Sequence, residues 1–123
     1  MELGKYAQSE AVVGTDNTAI SVGSGNLPVF ATPFMIALME NAAMKCVAPC
    51  LDETSATVGV AINVEHTRAS KTGEKIIAKA TLTAINGREL LFDVEACDNK
   101  GQIGRGTHKR FIVDIEKFMN KLT

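Results

Sequence analysis

The apolar residues change period along the chain. From Phe34 to Ala48 the run FMIALMENAAMKCVA is almost continuously apolar, broken only by Glu40, Asn41 and Lys45. It holds good helix formers and neither Gly nor Pro, so it predicts a helix over 33–47. Thr32-Pro33 is the start signal, with Thr32 as N-cap oxygen and Pro33 at the first helical position, and Pro49 marks the stop. A helix this poor in polar residues should be buried on most sides. From residue 56 the period becomes two. Val58, Val60, Ile62 and Val64 share one face, and Thr57, Gly59, Ala61, Asn63 and Glu65 take the other, which predicts a half-buried strand. A second alternating strand over 74–85 meets Asn86-Gly87, a hairpin signal that asks for positive φ at both positions. Its partner, 88–98, places Leu90, Phe92, Val94 and Ala96 on one face. Asp98-Asn99-Lys100-Gly101 turns the chain into a last long strand over 102–113. Upstream, residues 6–13 suit a first strand, and the Gly-rich stretch 14–28 is loop with a short strand around 19–22. Asp114 caps a short terminal helix, with Ile115, Phe118, Met119 and Leu122 at amphipathic spacing.

The order is therefore strand, buried helix, then four antiparallel strands. A sheet of about five strands with one apolar face needs a cover, and the single apolar helix supplies it. The expected class is α+β: an antiparallel sheet wrapped around one central helix, the hotdog arrangement, with a short C-terminal helix. At 123 residues the chain holds one such domain, 1–123. The arrangement leaves apolar sheet surface and a strand edge open, so a homodimer, or a pair of dimers, is expected.

Composition narrows the partners. A net charge of −1 gives no cationic surplus for nucleic acid or an acidic membrane. No stretch approaches the ~20 apolar residues of a membrane span, and the first residues carry no apolar signal core, so the cytoplasm is expected. Three cysteines, Cys46, Cys50 and Cys97, do not suggest a disulfide framework. Cys46 and Cys50 would share a helix face, but no second ligand pair follows, and small buried apolar side chains are the expectation.

Four features could carry chemistry. Glu40, amid Ala37, Leu38, Met39, Ala42, Ala43 and Met44, lies either on one solvated stripe with Asn41 and Lys45 or in a pocket as base or nucleophile. His66 continues the parity of Val58 to Val64 and points coreward at a strand end, as a structural ring or an acid/base group. Thr32 is a cap or a site residue beside free backbone N–H groups at the helix start. Gly104, Gly106, His108 and Arg110 share a face, and two glycines there mark close approach of a helix, another backbone or a ligand. Lys109 and Arg110 could meet coenzyme A phosphates.

Together these residues carry a resemblance. Val29-Phe30-Ala31-Thr32-Pro33, Ala37-Leu38-Met39-Glu40 with Ala42-Ala43, Thr57-Val58-Gly59, Glu65-His66, Asn86-Gly87-Arg88 and Gly104 through Phe111 appear in an order and spacing similar to the fluoroacetyl-coenzyme A thioesterase-like family of hotdog proteins. The resemblance spans about residues 28–114. It implies hydrolysis of a short acyl-coenzyme A thioester to acid and coenzyme A, with Thr32, Glu40 and His66 catalytic. Gly59 falls near the thioester carbonyl, Arg110 falls in the pocket, and Gly104, Gly106 and His108 belong to the substrate-binding strand. Coenzyme A is part of the substrate, and neither a cofactor nor a metal is implied. A non-catalytic acyl-coenzyme A sensing module on the same fold is the alternative. Hotdog hydratases rely on Asp-x-Asn-Pro or His-Phe-Pro-Gly segments, and neither string occurs here. The fluoroacetyl-specific branch closes its pocket with aromatic side chains before the helix. Ser21 to Asn26 (SVGSGN) has none, so fluoroacetyl selectivity is not expected.

Overall fold

The computed structural model describes residues 1–123 and orders them as β1 (Tyr6–Val12), α1 (Ala19–Val22), α2 (Thr32–Val47), β2 (Ser55–His66), β3 (Lys75–Asn86), β4 (Glu89–Asp98), β5 (Gly101–Asp114) and α3 (Ile115–Asn120). The five strands form one antiparallel sheet in the order β1-β3-β4-β5-β2. α2 buries Met35, Leu38, Met39, Ala42, Ala43, Cys46 and Val47 against one face of it. Alternation on β3 and β4 presents Ile76, Ala78, Ala80, Leu82, Leu90, Phe92, Val94 and Ala96 to the helix, and Ile103 extends the core onto β5. The small residues matter: Ala42 and Ala43 on the helix and Ala78 and Ala80 on the sheet share one buried core, where they leave room for close approach. Truncating Phe92, which is 1% exposed, would cost about 3–5 kcal/mol.

α2 lies mainly over β1 and β3, so the β5–β2 side of the same face is thinly covered. Of the three polar residues beyond its first turn, two point towards β1. Asn41 Oδ1 accepts from Ser9 Oγ at 2.6 Å, and Lys45 Nζ donates to the Gln8 carbonyl. Glu40 turns the other way, towards β2 and β5. The single solvated stripe suggested by Glu40, Asn41 and Lys45 is therefore split.

Local chemistry overrides the sequence pattern at several points. Residues 19–22 are a helical turn rather than a strand, because Thr18 accepts from the Ser21 amide and Gly23, at φ 78°, closes the end. The N-cap of α2 is Ala31, whose carbonyl accepts from both Phe34 N and Met35 N, so the Thr32 hydroxyl is left free of capping. In the β3–β4 hairpin Asn86 pairs with Glu89, and the turn residues are Gly87 and Arg88. Only Gly87 takes positive φ, 64°. Glycine first is the pattern of a II′ turn, one residue later than Asn-Gly would place it. α3 is capped by Asp114, which accepts from Lys117 N at 3.0 Å, but none of its residues is buried and Met119 is 53% exposed. Cys46 is buried, Cys97 half-buried and Cys50 exposed, in the 3₁₀ turn Ala48–Cys50 that follows α2.

The departure that matters most is a bulge in β2. Gly59 pairs with Arg110 and Ala61 with Lys109, so Val60 is the extra residue. The alternation in sequence runs straight through it, but the faces do not. Ile62, Val64 and His66 face the helix as expected, opposite His108, Gly106 and Gly104. Before the bulge the helix side belongs to Thr57 and Gly59, opposite Ile112 and Arg110, rather than to Val58. Val60 is 54% exposed.

Candidate active site

His66 ends β2, and its ring reaches back to the start of α2. Its Nδ1 lies 2.8 Å from Thr32 Oγ1, the hydroxyl that capping leaves unused. Phe30 sits edge-on to the imidazole, and the other ring nitrogen, Nε2, is buried without a hydrogen-bond partner. Burial pushes the His66 pKa below its ordinary value, so the ring is neutral at pH 7 and able to take up a proton. Both chain segments that bring this pair together hang from one carboxylate. Asp98, whose side chain is fully buried, accepts from Arg68 Nη2 at 2.6 Å and from Ser70 Oγ at 2.8 Å. Arg68 follows His66 by two residues. The Ser70 carbonyl accepts from Phe30 N, two residues before Thr32.

The second cluster gathers around Gly59. The Glu40 side chain is 39% exposed and makes no hydrogen bond within the chain. Its Oε2 lies so close to Gly59 that a Cβ there would stand 2.6 Å away, so only glycine lets the carboxylate settle over this backbone. Beneath it runs a chain of fixed groups. Arg110 Nε donates to Thr57 Oγ1 at 2.8 Å and Nη2 to the Thr57 carbonyl at 3.0 Å. Arg110 Nη1 lies 3.2 Å from His108 Nε2 and 3.9 Å from Glu40 Oε2, an ionic contact longer than a hydrogen bond. His108 Nδ1 in turn meets the Ala61 carbonyl at 2.7 Å. Burial lowers the Arg110 pKa while Glu40 raises it, and the guanidinium remains charged. Burial also keeps the His108 pKa below the usual imidazole value.

The structure thus brings Thr32 to His66, and Glu40 to Gly59 and Arg110, but it does not join the two sets within one chain. Eight helical residues separate Thr32 from Glu40, about 12 Å of axial rise. Along β2, seven residues separate Gly59 from His66, about 20 Å once the bulge is allowed for. Gly104 and Gly106 lie where the packing is tight. A Cβ on Gly104 would strike Met35 Sδ at 2.6 Å and the Glu65 carbonyl at 2.8 Å, and one on Gly106 would fall 2.0 Å from the Asn63 carbonyl. Both glycines allow close packing, and His108 is 3% exposed. Thr57, which fixes two of the three guanidinium nitrogens, was not a candidate from sequence, because strict alternation puts it on the wrong face until the bulge is known. A polar concavity bounded by Asn63, Lys79, Asp93, Arg105 and Thr107 opens on the opposite face of the sheet and meets the candidate set only at the backbone of Gly106.

Comparison with known proteins agrees with this fold. The family model described as FlK, fluoroacetyl-CoA-specific thioesterase, matches residues 13–116. The fluoroacetyl-CoA thioesterase of Streptantibioticus cattleyicolor is 42% identical over 94 residues, covering 76% of this chain and 68% of that protein. A crystal structure of the fluoroacetyl-CoA-specific thioesterase FlK superposes with a TM-score of 0.93 at 34% identity, over 99% of this chain and 95% of that one. A thioesterase superfamily member from Thermus thermophilus gives 0.91 at 26% identity, over 98% and 90%. A hot-dog-like protein from Thermanaerovibrio acidaminovorans, at 20% identity with a TM-score of 0.91 over 99% and 90%, supports the fold alone. With the model spanning more than four-fifths of its length, the chain belongs to the fluoroacetyl-CoA-specific thioesterase family of hotdog-fold proteins.

Proposed function

We propose that this protein hydrolyses short acyl-coenzyme A thioesters to the free acid and coenzyme A, at a site that two copies of the chain complete together. The observation that carries the reading is the Glu40 carboxylate, partly exposed over the Gly59 backbone, free of hydrogen bonds and backed by a fixed guanidinium. Such a group is poised to act on a thioester carbonyl, as nucleophile or through a water. The C–S bond breaks, the sulfur leaves as the coenzyme A thiol with a proton relayed by His66, and water supplies the new oxygen of the acid. Thr32 orients the reacting group. Backbone N–H groups at the Gly59–Val60 bulge, where the ladder is interrupted, are suited to hold the oxyanion. The chemistry needs no metal or redox cofactor, and three unpaired cysteines fit a reducing compartment such as the cytoplasm.

The reason for two copies is geometric. β2 pairs with β5 on one side only, so its other edge is free. Two β2 edges pairing antiparallel about a two-fold axis near mid-strand would place the His66 end of one chain against the residue 55–57 end of the other. His66 then stands about four residues, roughly 13 Å along the strand, from the Gly59 of its partner, nearer than the about 20 Å that separates the two within one chain. Dimers of dimers would leave this site unchanged.

The test is thiol release from a panel of acyl-coenzyme A esters graded in length and polarity, with Glu40→Gln alongside. The expected result is turnover of short esters by the parent and a loss of at least ~10²-fold in kcat for Glu40→Gln, with comparable binding and melting temperature. Binding without turnover, or an active Glu40→Gln protein, would overturn the reading.

A further inference from the structure

His108 is 3% exposed, and both its ring nitrogens are committed. A carbonyl oxygen only accepts, so the 2.7 Å contact with Ala61 O requires the proton on Nδ1. A guanidinium only donates, so the 3.2 Å contact with Arg110 Nη1 requires a lone pair on Nε2. Neither neighbour tolerates the other tautomer. The ring is also held between Ala61 just beyond the β2 bulge and Phe92 of β4, whose ring centroid is 6.1 Å away.

What this arrangement does is legible at Arg110. Nη1 is the nitrogen nearest Glu40, and His108 is its one hydrogen-bond partner. Nε and Nη2 are fixed on Thr57. At 3.9 Å the guanidinium stops about 1 Å short of the charge-assisted hydrogen bond that Arg and a carboxylate normally make. A carboxylate engaged in that bond is a weaker base and nucleophile, because its lone pairs are occupied and its charged form is favoured. We propose that His108 is a positioning residue that holds the Arg110 guanidinium back, so that Glu40 feels the positive charge while both its oxygens stay free for the substrate. This rests on Glu40 being the catalytic carboxylate. Remove the acceptor at His108, and Nη1 is left with a buried unpaired N–H whose nearest alternative is Glu40.

Few charged or titratable groups face the Glu40 carboxylate. Arg110 is the cation within 4.0 Å of its carboxylate, and neutral His108 stands behind it. β2 contributes Thr57 and Gly59, neither charged.

His108→Phe keeps a ring against Phe92 and deletes the acceptor, whereas His108→Gln keeps an amide that can accept from Arg110. For His108→Phe the expected loss is about 30-fold in kcat with KM within about threefold, the effect of a sub-ångström misplacement at a reacting group. The acid limb of kcat/KM should move to lower pH, because an ion pair drawn in to hydrogen-bond distance favours the charged carboxylate. His108→Gln should recover most of kcat and return the acid limb. An unimpaired His108→Phe enzyme overturns the proposal, and so does a loss of kcat with the acid limb unmoved. Should His108→Phe not fold, ¹⁵N chemical shifts of the parent protein decide: a neutral ring with the proton on Nδ1 supports it, and the other tautomer or an imidazolium at pH 7 overturns it. A parent without thioesterase activity, or an active Glu40→Gln, strikes the functional reading instead. An active parent, an inactive Glu40→Gln and an unaffected His108→Phe strike the positioning role alone.

Discussion

Gly59→Ala separates the site from the fold. The added Cβ would stand 2.6 Å from Glu40 Oε2 and 3.3 Å from both Arg110 Nη1 and His108 Cε1. A carbon and a carboxylate oxygen rest at about 3.3–3.5 Å, so the carboxylate must retreat by roughly 0.7–0.9 Å. That retreat is inexpensive for stability, because Oε2 is the far end of a flexible and partly exposed side chain. The two 3.3 Å contacts add a little strain, against which alanine recovers about 0.5–1 kcal/mol of the strand stability that glycine forgoes. The net change in stability should stay within about 1 kcal/mol. Activity is another matter, since a displacement approaching 1 Å at a reacting group is worth about 10²-fold. The assay pairs denaturant unfolding with thiol release from a short acyl-coenzyme A. Gly106→Ala is the contrast: its Cβ meets backbone, the Asn63 carbonyl at 2.0 Å, so there the strand itself must move and stability should fall by about 3 kcal/mol or more. A Gly59→Ala protein that is as active as the parent would refute the placement of the working carboxylate over Gly59. One that fails to fold would refute the claim that only Glu40 must yield.

Two further outcomes follow from the same geometry. Burial raises the Asp98 pKa, but the Lys100 amide, the Ser70 hydroxyl and Arg68 outweigh it and hold the carboxyl below the ordinary carboxylate value. A depressed folded-state pKa gives stability that is complete above about pH 4 and lost as pH falls through the folded value. Asp98→Asn should therefore be less stable than the parent near neutrality, with the gap closing in acid; a constant gap down to pH 2 would contradict this. For the acyl group, the absence of aromatic side chains from Ser21 to Asn26 leads us to expect acetyl and fluoroacetyl esters to be cleaved at similar rates. A preference of ~10³-fold, about 4 kcal/mol of differential transition-state binding, would show that other residues close the pocket.

Much of the architecture was legible in the chain because two periods are written plainly into it. The apolar run to Ala48 could only be a covered helix, and alternation from Leu90 to Ala96 could only be a sheet face. The residue pattern singled out Thr32, Glu40, His66 and Arg110 as candidates, and the resemblance gave them roles and added Gly59. What alternation could not reveal was the bulge at Val60, since an inserted residue leaves the pattern of apolar letters intact while exchanging the faces before it. That exchange brings Thr57 and Gly59 beneath Glu40. Capping misled for a similar reason. Thr-Pro suits a helix start, but the Ala31 carbonyl accepts both first-turn amides, which frees the Thr32 hydroxyl for His66. The role of His108 depends on which atom each ring nitrogen faces, and that is a property of the folded register alone.

The central claim is that Thr32 and His66 of one chain work with Glu40 of another. Mixing Thr32→Ala with Glu40→Gln, each inactive alone, tests it most directly. Full subunit exchange makes half of the dimers mixed, and a shared site leaves each mixed dimer one intact site of two, so activity should rise to about a quarter of the parent value. Exchange confirmed by mass spectrometry with no recovery of thiol release would contradict the account and place all three residues in a single-chain site.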